Sequence, residues 1–422
     1  MSKRRLIALY ALLSLTGVLA AACSSSSSSD GSSSDGSNNN SSSSSASGPY
    51  VIGMSNDLSG PISALGLQGA AGLQTYVDYL NANGGVNGRK IDLITLDDQS
   101  NPALGRTDYL ELAEKKALVM TGCVYTAVCQ AAAPLVGRYK VPIISEGGPN
   151  NDLFPAQPYL YSNDLPQGLQ PIVMVDEVAA LAKAAHISDV RLAWIGANTA
   201  ADVDGVNTLK ALVKQHPGWS FVGEQYLPLA VTNAAPEAQA IAADKPNFII
   251  GLHNDANIVP TVEALRTAGV TAPVIGVAAG SADSTFQALK GNYIAWRTYV
   301  SPSETNIPAV AIMRQQAAKY GQTKELIGSY FTQGYVEGML IQAALEKCGP
   351  DCDTGVQFNA ALQQLPSFNA EGLSAPPLGF STTQHVLNLS AWFYQWSTTQ
   401  NQAVQISGSI TVTPAEIQQF AG

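Results

Sequence analysis

The residues able to do chemistry in this chain are few and scattered. Asp97 and Asp98 are adjacent carboxylates at the end of an apolar run, the kind of pair that could divide general acid and base work. His186, His216, His253 and His385 stand far apart, and no two of them fall at the spacing that lets one helix face hold a metal. His253 differs from the others because it follows a strand-like run and is flanked by Asn254 and Asp255; the other three are expected on surface loops or strand ends. Cys348-Gly349-Pro350-Asp351-Cys352 has the spacing of half a zinc site, but no second Cys or His pair completes it, so no metal is expected. A nucleophile elbow of the Gly-x-Ser-x-Gly kind is missing. The run from Gly66 to Gly72 is neither a dinucleotide fingerprint nor a phosphate loop, so its glycines read as positions of close helix–sheet approach. With no nucleophile–base set and no cofactor motif, binding is a better expectation than catalysis, and an amidase-like enzyme is disfavoured.

The elements around these residues alternate. Val51 to Met54 is an apolar strand followed by turn residues through Pro61; Leu73, Tyr76, Val77 and Leu80 then repeat at helical spacing until Asn83-Gly84-Gly85. Lys90 to Leu96 is a second strand, making a strand–helix–strand unit whose strands should be parallel. Asn101-Pro102 starts a helix running toward Lys116, residues 117–120 form a third strand, a helix spans about 127–138, and residues 141–144 form a fourth strand. The rhythm restarts with a helix over about 169–185 and strands near 190–195, 220–225, 248–251 and 273–277. Long helices follow over 308–320 and 329–347, and the chain ends in a strand pair over 386–396 and 404–412. Trp392, Tyr394 and Trp396 alternate on that pair and so share one face, which reads as packing surface. Two α/β lobes with mostly parallel sheets are the expected fold. Ligands of such sheets sit beyond the carboxyl ends of strands, which selects the loops starting at Ser55, Gly122, Ser145, Gly196, Leu252 and Ala278.

Gly84-Gly85-Val86-Asn87-Gly88-Arg89, followed by a strand ending in Asp97-Asp98-Gln99-Ser100, resembles the first lobe of the branched-chain-amino-acid-type solute-binding proteins of ABC importers, the periplasmic binding protein type I family. The resemblance extends over Val51 to Val412. It implies a hinge-closing, two-lobed receptor that captures a small solute and hands it to a membrane permease, with Asp97-Asp98 structural. It also implies three crossings between lobes, placed near 162–166, 298–302 and 380–384. Lobe 1 would comprise 49–163 and 302–380, and lobe 2 would comprise 164–298 and 385–422. A ligand sensor of the same fold is the alternative role.

Carried over residue by residue, the ligand contacts fall on Leu65, where amino-acid binders often have tyrosine, and on Tyr125, Thr126 and Ala127, the turn that holds a ligand carboxylate. Gly147-Gly148-Pro149 matches the turn gripping the other end, with Pro149 in place of its hydroxyl, and Glu146 precedes it on the same exit loop. In the second lobe Asn198 to Asp204, Asp202 included, matches a loop that often carries tyrosine–glycine, and Ala279 lies in a further matching loop; His253 and Asn254 are candidates by their strand-exit loop. The glutamate that commonly pairs with a ligand ammonium is replaced by Ala278-Ala279-Gly280. These departures predict a small carboxylate, amide or other amphipathic solute in preference to free leucine, isoleucine or valine; branched-chain or other amino-acid binding is the alternative.

Before the first strand, Lys3, Arg4 and Arg5 precede an uncharged run to Ala22, too short to span a bilayer and ending in small residues. Ala20-Ala21-Ala22-Cys23 resembles a bacterial lipobox, so residues 1–22 are expected to be a lipoprotein signal peptide and Cys23 the lipidated residue of a protein anchored outside the cytoplasm. Residues 23–48 are almost wholly Ser, Asn, Gly and Asp, a tether that cannot bury apolar surface. Loss of the leader leaves 19 basic against 32 acidic side chains, a net charge of −13, which excludes a nucleic-acid partner. The four remaining cysteines predict two disulfides in an exported chain, Cys123–Cys129 and Cys348–Cys352. The body is expected to act as a monomer.

Overall fold

The computed structural model describes residues 48–148, 150–251 and 254–421, with the backbone alone at 150, 151, 200 and 201. Residues 1–22, expected to be a signal peptide, lie outside the described residues together with Cys23, nearly all of the expected tether and His253.

The first lobe is built on a five-stranded, wholly parallel sheet. Its strands are β1 (Tyr50–Asn56), β2 (Ile91–Asp97), β3 (Met120–Gly122), β4 (Ile143–Ser145) and β5 (Leu160–Ser162), in the order β2-β1-β3-β4-β5. The second lobe carries β6 (Val190–Ala197), β7 (Trp219–Leu227), β8 (Phe248–Gly251), β9 (Val274–Gly276) and β10 (Tyr293–Arg297), all parallel, extended by β11 (Ser390–Ser397) and β12 (Gln402–Gln405), which run antiparallel. A short β13 (Ile410–Thr411) pairs with β11. Alternation along the strands splits each lobe into two cores: Ile52 and Met54 face one side of β1 and Val51 the other, and Leu192 and Trp194 face one side of β6 while Ala193 and Ile195 face its opposite. Among the described residues no helix is long and apolar enough to cross a membrane.

Several local devices match their sequence signals. Asn101 caps the Pro102–Glu114 helix by accepting from the Ala103 N–H, and Gly84 and Gly85 take positive φ where the Ser63–Ala82 helix ends. Asp97 accepts from the Leu58 N–H at 2.9 Å and the Ser59 hydroxyl at 2.6 Å, while Asp98 accepts from the Ser100 N–H at 2.7 Å. Asp97 therefore clamps the loop leaving β1, while Asp98 closes the turn after β2. Cys123 and Cys129 have Cα atoms 5.6 Å apart, and Cys348 and Cys352 5.5 Å, both within disulfide reach.

Other expectations need correction. The helix read over 127–138 breaks into Thr126–Ala132, a 3-10 turn at Ala133–Leu135 and Val136–Tyr139, because Pro134 cannot donate the internal bond a continuous helix needs. Strand β10, missed in the sequence, continues the parallel sheet up to the antiparallel edge. His385 is buried rather than on a surface loop: its ring stacks on Tyr161, and Nδ1 lies 2.9 Å from the carbonyls of Gln157 and Leu160.

The glycines of the first helix also serve a different partner. A Cβ on Gly72 would lie 2.0 Å from the Phe331 carbonyl, and one on Gly334 would lie 2.0 Å from the Gly69 carbonyl. The Ser63–Ala82 helix thus packs backbone to backbone against the Ser329–Cys348 helix, a helix–helix contact in place of the expected helix–sheet one. Gly334→Ala should lower the unfolding free energy by about 2–3 kcal/mol, as overpacking against an immovable backbone does. Guanidinium denaturation reads this directly, and a change below roughly 0.5 kcal/mol would mean the helices slide apart freely.

The lobes are joined by three chain passages that lie side by side. Asn163–Asp164 is the first and Arg297–Thr298 the second, judged by which core each neighbour enters. The third falls between Leu387, in the first lobe's core, and Leu389, packed on the second's, a few residues later than the expected 380–384. The displacement has a physical origin. Leu387 N–H donates to the Ser162 carbonyl at 2.8 Å, Ser162 N–H to the His385 carbonyl at 2.9 Å, and Ala375 N–H to the Thr298 carbonyl at 2.9 Å. Backbone pairing therefore holds the returning chain to the first lobe through Leu387. Asn388 Nδ2 adds a bond to Ser374 Oγ at 2.8 Å, and Ser374 Oγ another to the Thr298 carbonyl at 3.0 Å.

Candidate functional site

Beyond the carboxyl ends of the strands lies a cavity of about 70 Å³, walled by both lobes. From the first lobe come Ile62 and Leu65 at the start of the first helix, Val124 on the loop after β3, Glu146 and Gly147 after β4, and Tyr330 near the start of the Ser329–Cys348 helix. Asp164, Leu165, Gln167 and Gln170 come from the first passage and the helix that follows it. The second lobe contributes Trp194 and Trp296 from within β6 and β10, Asp202 near the start of the Ala200–Val213 helix, and Val277, Ala278 and Ala279 after β9.

Of the residues singled out in the sequence, Leu65, Glu146, Gly147, Asp202 and Ala279 meet in this wall. Thr126 stands behind it, its hydroxyl exchanging bonds with the Gln167 amide at 2.9 and 3.0 Å. Tyr125 occupies the cap position of the Thr126–Ala132 helix, and Ala127 follows one residue into that helix. Gly148 is buried, where a Cβ would lie 3.0 Å from Leu153 Cδ1. Asn198 is exposed, and Asn254 caps the Asp255–Thr267 helix through its side-chain oxygen. None of these last five lines the cavity.

The Thr126–Gln167 pair ties the first lobe's loop, between Cys123 and Cys129, to the approach of the second lobe. Thr126→Val removes the bond and keeps the shape. It should cost closure about 1 kcal/mol, a roughly fivefold weaker affinity for any solute held by both lobes, with little change in unfolding midpoint. An affinity unchanged within twofold would show that this contact does not contribute to closure.

The wall mixes apolar side chains with polar ones. Trp194 and Trp296 are buried, and their indole N–H groups have no partner among the described residues, leaving two donors. Asparagine and acid groups oppose them. Asn56 Nδ2 donates to Glu146 Oε1 at 3.1 Å, and Leu165 N–H donates to Asp164 Oδ1 at 2.7 Å. Burial pushes the Asp164 carboxyl up to about 6. Burial, reinforced by the neighbouring Glu337 carboxyl, raises Glu146 well above the ordinary range. No Lys, Arg or described His lines the cavity. Glu146, Asp164 and Asp202 bring carboxyl groups to this wall from elements other than the Ala278-Ala279-Gly280 turn.

The two tryptophans escaped the sequence reading because they sit inside strands, not on exit loops. One signal was available: glycines make room for Trp194, since a Cβ on Gly196 would lie 2.6 Å from its Nε1 and one on Gly251 2.9 Å from its ring. Tyr330 and Gln170 enter from helices, and only the tertiary fold brings them to the wall.

A sequence profile of the family described as periplasmic binding protein matches residues 49–402. The chain is 22% identical over 353 residues to a Leu/Ile/Val-binding protein homolog of Brucella melitensis biotype 1, covering 82% of this chain and 90% of that one. It superposes with a TM-score of 0.77 on a fatty acid ABC transporter substrate-binding protein from Thermomonospora curvata, at 18% identity over 89% of this chain and 94% of the other. A branched-chain amino acid ABC transporter protein from Thermus thermophilus with bound valine gives 0.75 at 15% identity, over 88% and 99%.

Proposed function

The chain belongs to the periplasmic binding protein family, and on that premise we propose that it captures a small solute between its two lobes outside the cytoplasm and delivers it to an ABC permease. The cavity carries this reading, because its wall draws on both lobes and on the passage between them. A solute with an apolar body would lie against Ile62, Leu65, Val124 and Val277, with hydrogen-bonding ends meeting the indole N–H groups on one side and Glu146 and Asp164 on the other. Closure then excludes water from those polar contacts, which strengthens them. The named relatives take ligands as different as valine and fatty acids, so the family bounds the solute by size and by an amphipathic character.

The reading is of a binding wall, in keeping with the solute-binding relatives. The reading further includes lipid anchorage at Cys23, the disulfides Cys123–Cys129 and Cys348–Cys352, and a monomeric body. The first disulfide would hold the loop bearing Val124 and Thr126 against the cavity. Native mass spectrometry of the purified protein tests the function: a carried small molecule should appear as a discrete mass difference and vanish on denaturation. Its absence, together with no response of tryptophan fluorescence to amino acids, amides or short carboxylates, would refute solute capture.

A further inference from the structure

Glu146 is set apart from the other acids of the wall. It is 4% exposed, its Oε1 is held by Asn56, and its Oε2 has no partner among the described residues although the side chain forms part of the cavity. Behind it, on the Ser329–Cys348 helix, Glu337 is equally buried, with Oε1 accepting from the Thr121 hydroxyl and Oε2 unpartnered. Gln333 of the same helix donates to Asn163 Oδ1 at 2.7 Å. The charged and titratable groups facing Glu146 are Glu337, Asp98 after β2 and Asp164 at the first passage, with the phenols of Tyr299 and Tyr330 also near. All are acids or neutral, and none is a cation. A buried carboxylate without a cation is costly, so without ligand the group holds a proton.

Resting on the reading of the cavity as the solute site, we propose that Glu146 is the specificity-determining anchor for a cationic end of the solute, an ammonium or amidinium, and that capture exchanges the Glu146 proton for that cation. The bookkeeping is complete: the Glu146 O–H bond breaks, the proton leaves to water, and the carboxylate so formed receives the N–H donors of the incoming cation. Asn56 stays on Oε1, leaving Oε2 to face the ligand. Asp164 already uses one oxygen on the Leu165 N–H. The unpaired indoles of Trp194 and Trp296 then suit an acceptor at the solute's other end, so an amphoteric molecule satisfies both walls.

Four molecules with one branched apolar body separate the possibilities: isoamylamine carries only the cation, isovalerate only the carboxylate, isovaleramide is neutral, and valine has both charges. Binding to ligand-stripped protein is read by tryptophan fluorescence and by calorimetry in two buffers of different ionisation enthalpy. Expected are binding of isoamylamine and valine well above isovalerate, with release of a proton, and a loss of a protonated-carboxyl band in the infrared difference spectrum. Glu146→Gln should weaken the two cationic ligands roughly tenfold to a hundredfold and abolish both proton release and the infrared band. A near-ultraviolet circular dichroism spectrum of the variant that matches the parent's shows that the fold survives. Isovalerate binding as well as isoamylamine, or proton release persisting in the variant, overturns the anchor while leaving solute capture standing. No response to any of the four overturns the anchor and counts against the cavity itself.

Discussion

Replacing Arg297 by methionine should lower the unfolding free energy by about 3–5 kcal/mol, the cost of breaking a buried charge network on one side. Arg297 has no exposed surface. Its Nη2 donates to Asp283 at 2.8 Å, its Nε donates to the Ser281 carbonyl at 3.0 Å, and Glu304 lies 3.7 Å from Nη1. The guanidinium also lies over the rings of Tyr394 and Phe286, at 4.7 and 5.1 Å. Burial alone would raise the Asp283 carboxyl, but Arg297 and the Ser301 hydroxyl outweigh it and hold the group below its usual value. Burial prevails at Glu304, whose carboxyl is raised despite the same arginine. Methionine keeps much of the packing and leaves both acids without a cation. The effect should reach the cavity as well, because Arg297 ends β10 beside the second passage and braces the turn that carries Ala278 and Ala279. Adding Asp283→Asn and Glu304→Gln to Arg297→Met should recover a large part of the loss. If the triple variant is no more stable than the single one, the arginine acts through packing and the ionic network contributes little.

Glu337→Gln should do the opposite and stabilise the protein at pH 8. Burial pushes the Glu337 carboxyl up to about 8, from an ordinary value of 4.5. The folded state thus holds a proton that the unfolded chain gives up. Stability from this group is full below about pH 4.5 and is lost as the pH rises toward 8. The isosteric amide carries no such liability, and its oxygen can still accept from Thr121. A gain of a few kcal/mol, about 1.4 for each unit of displacement actually realised, is expected at pH 8 and almost none at pH 4.5. Urea titrations of both proteins at pH 4.5, 6 and 8 show it as a difference that grows with pH. Parallel curves would place Glu337 in contact with water or with a cation.

These two networks mark the boundary of what the sequence discloses. The strand–helix–strand unit over Val51–Asp98 was legible because apolar periodicity, Asn101-Pro102 and the paired glycines are local signals. A structural role for Asp97 and Asp98 was legible through the resemblance. Arg297 and Glu337 look unremarkable in sequence, since an arginine after an apolar strand and a glutamate on a helix are usually solvated. Only burial on the face turned toward another element gives them their energetics. The same holds for the cavity. Exit-loop reasoning reached Leu65, Glu146, Gly147, Asp202 and Ala279, while Trp194, Trp296 and Tyr330 project from regular elements whose inward face depends on which sheet position and helix packing the chain adopts. The third passage was misplaced for a related reason: its register is fixed by pairing of Leu387 with Ser162, more than two hundred residues away in sequence.

Solute capture by two closing lobes is tested most directly by X-ray scattering on one preparation in two states. Protein unfolded in guanidinium, dialysed and refolded without small molecules should show a larger radius of gyration than protein as purified. Restoring the small-molecule fraction recovered from that dialysis should bring the value back, since a solute held by both lobes draws them together. Identical scattering curves before stripping, after stripping and after restoration, with mass spectrometry confirming that a carried molecule was removed and rebound, would contradict a hinge-closing receptor.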